Sequence, residues 1–281
     1  MGNCYSNQTL DSNQYNIFLK VPNSKKCFQV NNKSNSWVYN EDINVSLKKL
    51  YNIKLNYWIV YNDETPTKTS SSCAHAKGIL SWNNEIITWL VHSVPKFPEV
   101  FDGTNNFPDI NHSELIYGQS FIFIKIDIKH LDNILNQLFI MHPNVYISNY
   151  NYNYKNLNKD FNIYKISDNI QHVAKSSHYH KDLYEDILIP AFGGPCYTET
   201  WVRGHHCIDS TQCKMINKII LDNISYTFTH DHSKYCYSID NGWVMIGDLN
   251  RMTTQYKRGG GGIIIYNDNL CKLFNSINVN N

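Results

Sequence analysis

Long apolar runs are missing from this chain of 281 residues. None approaches the roughly 18 uninterrupted apolar positions of a membrane-spanning helix, so no span is expected. The eight cysteines include no Cys-x-x-Cys pair, which removes the usual zinc-ribbon and thioredoxin-like arrangements. A Walker loop, a Rossmann glycine fingerprint and a His-Glu-x-x-His helix are all absent, and the nucleotide-binding and zinc-protease readings go with them. Excess charge is missing as well. With 25 Lys and Arg against 24 Asp and Glu the formal charge at pH 7 is +1, unlike a protein that binds polyanions at every pH. The opening "MGNCYSNQTL" lacks the basic start and apolar stretch of a secretory signal.

What is present points elsewhere. A hydrophobic fraction of 42% over this length can bury a sizeable core, as one large domain or two fused halves. The cysteines, scattered and even in number, suit an oxidising compartment, so a disulfide-bonded lysosomal or secreted protein is expected. The alternative is a cytosolic protein lipid-anchored through Gly2, because "MGNCYS" also fits a myristoylation pattern with Ser6 and a palmitoylatable Cys4. Twelve histidines would carry the formal charge from +1 towards +13 if all were protonated, turning a neutral protein into a polyanion binder in acid.

Along the chain, residues 15–22, 55–63 and 118–128 read as strands rich in β-branched and aromatic residues. Residues 130–141 carry apolar positions at helical spacing. The Asn/Tyr-rich stretch 148–170 reads as a linker between an N-terminal half, 1–147, and a C-terminal half, 171–281. Within the latter, 213–238 reads as a helix followed by strands.

Two segments, "CAHAKGIL" (73–80) and "THDHSKYCYS" (229–238), each hold a His-x-Lys, His75/Lys77 and His232/Lys234. On a strand this spacing puts both side chains on one face. Two such pairs among 12 histidines prove little, but their contexts run in parallel. A polar Asn/Asp turn follows each, then an apolar strand with Trp89 or Trp243. That strand ends in His92-Ser93 or Gly247-Asp248, and a loop leads to a glycine-led strand, "YGQSF" or "RGGGG". We read this as a degenerate internal repeat in which His75 and His232 are equivalents.

The blocks "HAKGILSW", "WLVHSVPKFP", "YGQSF", "DHSKYC", "GDLNRMTTQ" and "RGGGG", in this order from about residue 4 to 266, resemble the signature blocks of the deoxyribonuclease II family. That family belongs to the wider phospholipase D-like group. The resemblance implies an α/β (α+β) fold of two pseudo-symmetric halves, each a mixed β-sheet flanked by helices, with the active site between them. It also implies an acid endonuclease that cuts DNA without sequence preference, uses neither metal nor cofactor, and leaves 3′-phosphate ends. The chain departs from the family in having no cysteine soon after "YGQ" or "RGGG", so the family's disulfide pairing does not transfer.

In chemical terms, one neutral histidine attacks phosphorus to form a phosphohistidine while the other, protonated, serves the leaving 5′-oxygen. His75 is favoured as nucleophile by analogy with the wider group. Lys77 and Lys234 supply charge to the phosphoryl oxygens. His92, Asp248, Asn250, Arg258, Gly259 and Gly260 are supporting candidates, the last three as a phosphate-binding turn. His92 as a satisfied structural histidine and the glycines as packing residues stay open beside these roles. Rival readings are a zinc site built from His230/His232, His178/His180, residues 205–207 or Cys213, a phosphodiesterase acting on lipid head groups, and a non-catalytic polyanion-binding relative. Monomer and homodimer both remain open.

Overall fold

Alternation along the buried strands decides how the chain packs. The computed structural model describes residues 14–103, 107–201 and 210–279. Eight strands form the first sheet: β1 (Tyr15–Lys20), β2 (Cys27–Asn31), β3 (Val38–Asn40), β4 (Tyr57–Asn62), β5 (Lys77–Trp82), β6 (Ile86–His92), β7 (Gln119–Asp127) and β8 (Val145–Ser148), in the order β3-β2-β1-β7-β6-β5-β4-β8. Helices α1 (Ile43–Leu50) and α2 (Leu131–Met141) lie within this part of the chain. A second sheet contains β9 (Phe161–Lys165), β10 (Ile170–Lys175), β11 (Cys196–Thr200) and β12 (Cys213–Met215). After the side hairpin β13 (Lys218–Leu221) and β14 (Ile224–Thr227) it continues with β15 (Lys234–Ser238), β16 (Trp243–Gly247) and β17 (Gly260–Tyr266). Its order is β12-β11-β15-β16-β17-β10-β9. Short helix α3 (Ile189–Phe192) precedes β11, and α4 (Asp268–Ile277) and β18 (Asn278–Val279) close the described chain. The protein is of the mixed α+β class.

Successive side chains on a strand point to opposite faces. On β6, Ile87, Trp89 and Val91 join a core shared by both sheets, whereas Leu90 joins a separate core of the first sheet. On β16, Val244 and Ile246 enter the shared core, and Trp243 and Met245 a separate core of the second sheet. Central strands buried on both faces explain the short uninterrupted stretches "IITWLV" and "GIIIY". Helix α2 adds Ile134, Leu135 and Leu138 to the shared core, and α4 adds Leu270 and Phe274.

The two sheets repeat one another. Lys77 opens β5 opposite Asn62, and Lys234 opens β15 opposite Thr200. Gly78 pairs with Val91, and Tyr235, the matching residue, with Ile246. The repeat expected from sequence is therefore present, with one correction: in this register Trp89 matches Val244, not Trp243. The tryptophans lie one residue out of step and face different cores.

Two further expectations change. Residues 213–238 open on strands rather than a helix: β12, β13, β14 and β15 occupy the stretch, with a single 3-10 turn at Phe228–His230. "KIILDNISYT" alternates exposed and buried side chains on β13 around a tight turn in which Asp222 has a φ of 55°, so period two wins over the helical reading. Strand β9 lies inside the stretch read as a linker and pairs with β10. No disulfide joins the six described cysteines. Cys4 and Cys207 lie outside the described residues, as do Gly2 and the histidines at 205 and 206.

Candidate active site

Both His-x-Lys segments reach the end of their sheets with the lysine as the first strand residue and the histidine just before it. Each is stitched to the opposite half. The His75 backbone N–H donates to the Gly259 carbonyl at 2.9 Å, and the His232 N–H donates to the Gly118 carbonyl at 2.8 Å. Gly118 leads into β7 as Gly259 leads into β17, so the two bonds are related by the repeat. The lysine backbones cross over as well: the Lys77 N–H donates to the Asp248 carboxyl, and the Lys234 N–H to Ser120 Oγ at 3.0 Å. His75, Lys77, His232, Lys234 and Asp248 are thus brought to one rim where the sheets meet.

His75 Nδ1 lies 2.6 Å from the Asp248 carbonyl oxygen. A carbonyl only accepts, so Nδ1 carries the proton and Nε2 the lone pair. Burial pushes the pKa of His75 down to about 3, with Asp63 opposing and the cations of Lys77, Lys234 and Arg258 reinforcing the shift. His75 is therefore neutral in mild acid.

Asp63, just past β4, was not found from sequence. It is 2% exposed, ion-pairs with Lys77, lies 3.1 Å from an Arg258 nitrogen, and has Oδ2 4.0 Å from His75 Nε2. Burial would raise its carboxyl, but His75, Lys77 and Arg258 more than offset that and hold it ionised well below the carboxylate range. Its only sequence signal was a polar "YND" ending an apolar strand.

The environment of His232 is different. Tyr117 stacks on it with ring centroids 4.1 Å apart, and Trp201 leans on it at 4.0 Å. Trp201 follows β11 where Asp63 follows β4, so the repeat carries a carboxylate in one half and an indole in the other. Aromatic faces favour a cationic ring. Lys234 Nζ donates to the His232 carbonyl at 2.6 Å. Burial, then the charge of Lys77, brings the Lys234 pKa down to about 8, leaving a cation in acid.

The remaining candidates divide. Burial pushes the Asp248 carboxyl up to about 8, so it is protonated in acid. One of its oxygens and the Asn250 Oδ1 are buried with no hydrogen-bond partner among the described residues. His92 is not hydrogen-bonded to either His-x-Lys pair. Its Nδ1 accepts from the Val94 N–H at 3.2 Å and its ring packs on Phe97, while its Nε2 is buried with no hydrogen-bond partner among the described residues and the charge of Lys77 reaches it. The Arg258 guanidinium is engaged by Asp63 and by the carbonyls of Ser70, Cys73 and Ala74. A Cβ on Gly259 would run into the Met141 carbonyl, and one on Gly260 into Leu249. Both glycines are thus required by close packing.

Lys20 and Lys175 also escaped sequence reasoning. Each ends a strand, β1 or β10, with its ammonium on backbone carbonyls: Lys20 on Val21, Ser24 and Leu115, Lys175 on Tyr256 and Arg258. They fasten the loops that precede Gly118 and Gly259. Among the described residues, no group of three or more His, Cys, Asp or Glu converges as a set of metal ligands.

Two sheets that each deliver a histidine and a lysine to a common rim define a class of duplicated His-Lys protein. The model of the deoxyribonuclease II family matches residues 6–280, and the chain belongs to that family of nucleases. It is 29% identical to Deoxyribonuclease-2 of Caenorhabditis elegans, over 98% of this chain and 80% of that protein. It is 31% identical to Cell death-related nuclease 6 of the same organism, over 85% and 74%. Plancitoxin-1 of Acanthaster planci shares 30% identity over 77% of this chain and 68% of its own.

Proposed function

We propose that the protein is an acid endodeoxyribonuclease that cleaves DNA without a metal ion and leaves 3′-phosphate ends. The observation that carries this reading is the tautomer of His75, with Nδ1–H on the Asp248 carbonyl and Nε2 as the open lone pair. Nε2 attacks phosphorus, the bond to the 5′-oxygen breaks, and protonated His232 gives that oxygen its proton. Neutral His232 then takes a proton from water, which attacks the phosphohistidine and releases the 3′-phosphate. Lys77 and Lys234 hold the non-bridging oxygens, supplying fixed charge where it develops. The protonated Asp248 carboxyl and Asn250 are hydrogen-bonding groups at the same rim.

Different surroundings support different roles. The aromatic faces on His232 favour a charged imidazole, whereas burial, reinforced by Lys77, Lys234 and Arg258, holds His75 neutral. The test is plasmid cleavage at pH 5 in EDTA, with the ends labelled before and after phosphatase. Full activity with 5′-ends that accept label directly and 3′-ends freed only by phosphatase is expected. Loss of activity in EDTA, or 5′-phosphate products, contradicts the proposal.

A further inference from the structure

Beside the catalytic rim lies a crevice that the chemistry above does not use. It is lined by His142, Tyr154, Lys159, Ser176 and His178, among others. The topology sets it on the same rim as the site. His142 follows the C-terminus of α2 and leads to β8, and its carbonyl accepts the Ala74 N–H at 2.9 Å, one residue before His75. His178 follows β10, and Lys159 precedes β9, the antiparallel neighbour of β10. Met141 and Lys175, the residues before His142 and Ser176, back onto Gly259 from two sides. The crevice therefore begins where His75 is anchored.

His142, Lys159 and His178 on its walls are all exposed, and the two rings are neighbours: burial, then the charge of His178, lowers the His142 pKa. The His142 ring stacks on Tyr154 at 4.0 Å, on a residue held in the left-handed conformation at φ 59°. The Ser176 hydroxyl accepts the His178 N–H at 2.9 Å and so fixes the turn that presents the ring. Nearby anionic charge comes from Asp160, beside Lys159, whose backbone carbonyl accepts the Ser176 N–H. At the related position of the other half, the pocket of Pro22, Asn23 and residues 224–227 holds a single histidine, His230. Among the described residues the basic extension is thus on the His75 side.

We infer that this crevice is a subsite for backbone phosphate, holding the DNA strand beyond the scissile bond through Lys159, His142 and His178. The inference rests on the functional reading above and adds where the strand runs. Phosphate contacts fix position and carry the salt dependence of binding. The test compares the full-length protein with a Lys159→Gln/His178→Gln variant at pH 5 in EDTA, with both substituted residues exposed. Kd for a labelled duplex of about 30 base pairs is measured against salt with His75→Ala added to both proteins so that the duplex is not cut, alongside hydrolysis of thymidylyl-thymidine and of DNA by the pair with His75 intact. The variant should bind the duplex several-fold more weakly, with the log Kd–log salt slope lowered by about 2, and hydrolyse the dinucleotide at the wild-type rate. Equal Kd and equal slope, in a protein that still cuts DNA, overturn the subsite alone. A wild-type protein that neither binds nor cuts DNA overturns the functional reading and the subsite with it.

Discussion

Asp63 shows why a residue legible only in three dimensions can govern a site that was otherwise legible in one. His75, Lys77, His232 and Lys234 were readable because strand spacing and a repeated context tie them together along the chain. Asp63 precedes His75 by a loop, and only the pairing of β4 with β5 sets it against Lys77 and Arg258. It touches the reaction through other groups, as a positioning residue. Asp63→Asn should leave Arg258 and Lys77 without their counter-charge and loosen the His75 ring. A fall in kcat on the order of 10²-fold is expected, the scale of a misplaced reacting group, with KM for DNA little changed. Because Asp63 opposes the downward shift of His75, the variant should also move the acid limb of the kcat–pH profile to lower pH. An unmoved profile at full kcat contradicts the positioning role. Arg258 teaches the converse. Its place before four glycines reads as a phosphate site, and nothing in the sequence reports that its guanidinium neutralises Asp63 and anchors the loop at 70–74.

At the scale of elements, strands buried on both faces and helix α2 were recoverable, since apolar content and helical spacing record burial directly. The edge strand β12 and the side hairpin β13–β14 were not, because short strands half in water have a pattern weak enough to pass for a helix. The tryptophans mislead for another reason: either face of a doubly buried strand accepts a large ring, so Trp89 and Trp243 slipped by one residue without breaking the pattern. The glycines before β17 mark a constraint that sequence reports without its cause. Gly259 sits between Met141 and Lys175 while its carbonyl holds the His75 N–H. Gly259→Ala should cost about 1–3 kcal/mol of stability, the usual price of overpacking, and lower activity beyond the loss of folded protein, because the joint carrying His75 must shift. Thermal melting with the activity of the folded fraction checks this; an unchanged Tm and activity contradict it.

For the whole molecule, histidine count is a poor guide to charge in acid. His75, His92 and His172 are each brought down to about 3, chiefly by burial, so they stay neutral at pH 5 and a charge of +13 is not reached there. Buried carboxyls act in the other direction. Glu199 on β11 is fully buried, neither carboxyl oxygen has a hydrogen-bond partner among the described residues, and burial, then Asp231, raises its pKa well above 4.5. A folded pKa above the unfolded one means its proton stabilises the fold fully below about 4.5, an effect lost as pH rises through the folded value. Glu199→Gln should therefore raise Tm more at pH 7.5 than at pH 4. The same difference at both pH values would show that Glu199 does not titrate with folding.

The central claim, that His75 is a covalent nucleophile in a two-histidine centre, is tested most directly by the stereochemistry at phosphorus. Deoxyribose has no 2′-hydroxyl, so a 3′-phosphate arises either from two in-line displacements through the enzyme or from one by water. A DNA phosphorothioate of defined configuration is cleaved in isotopically labelled water and the configuration of the product 3′-phosphorothioate is read. Two displacements each invert the centre, so net retention is the predicted result. Net inversion would contradict the account, leaving His232 and the lysines their roles but removing the phosphohistidine.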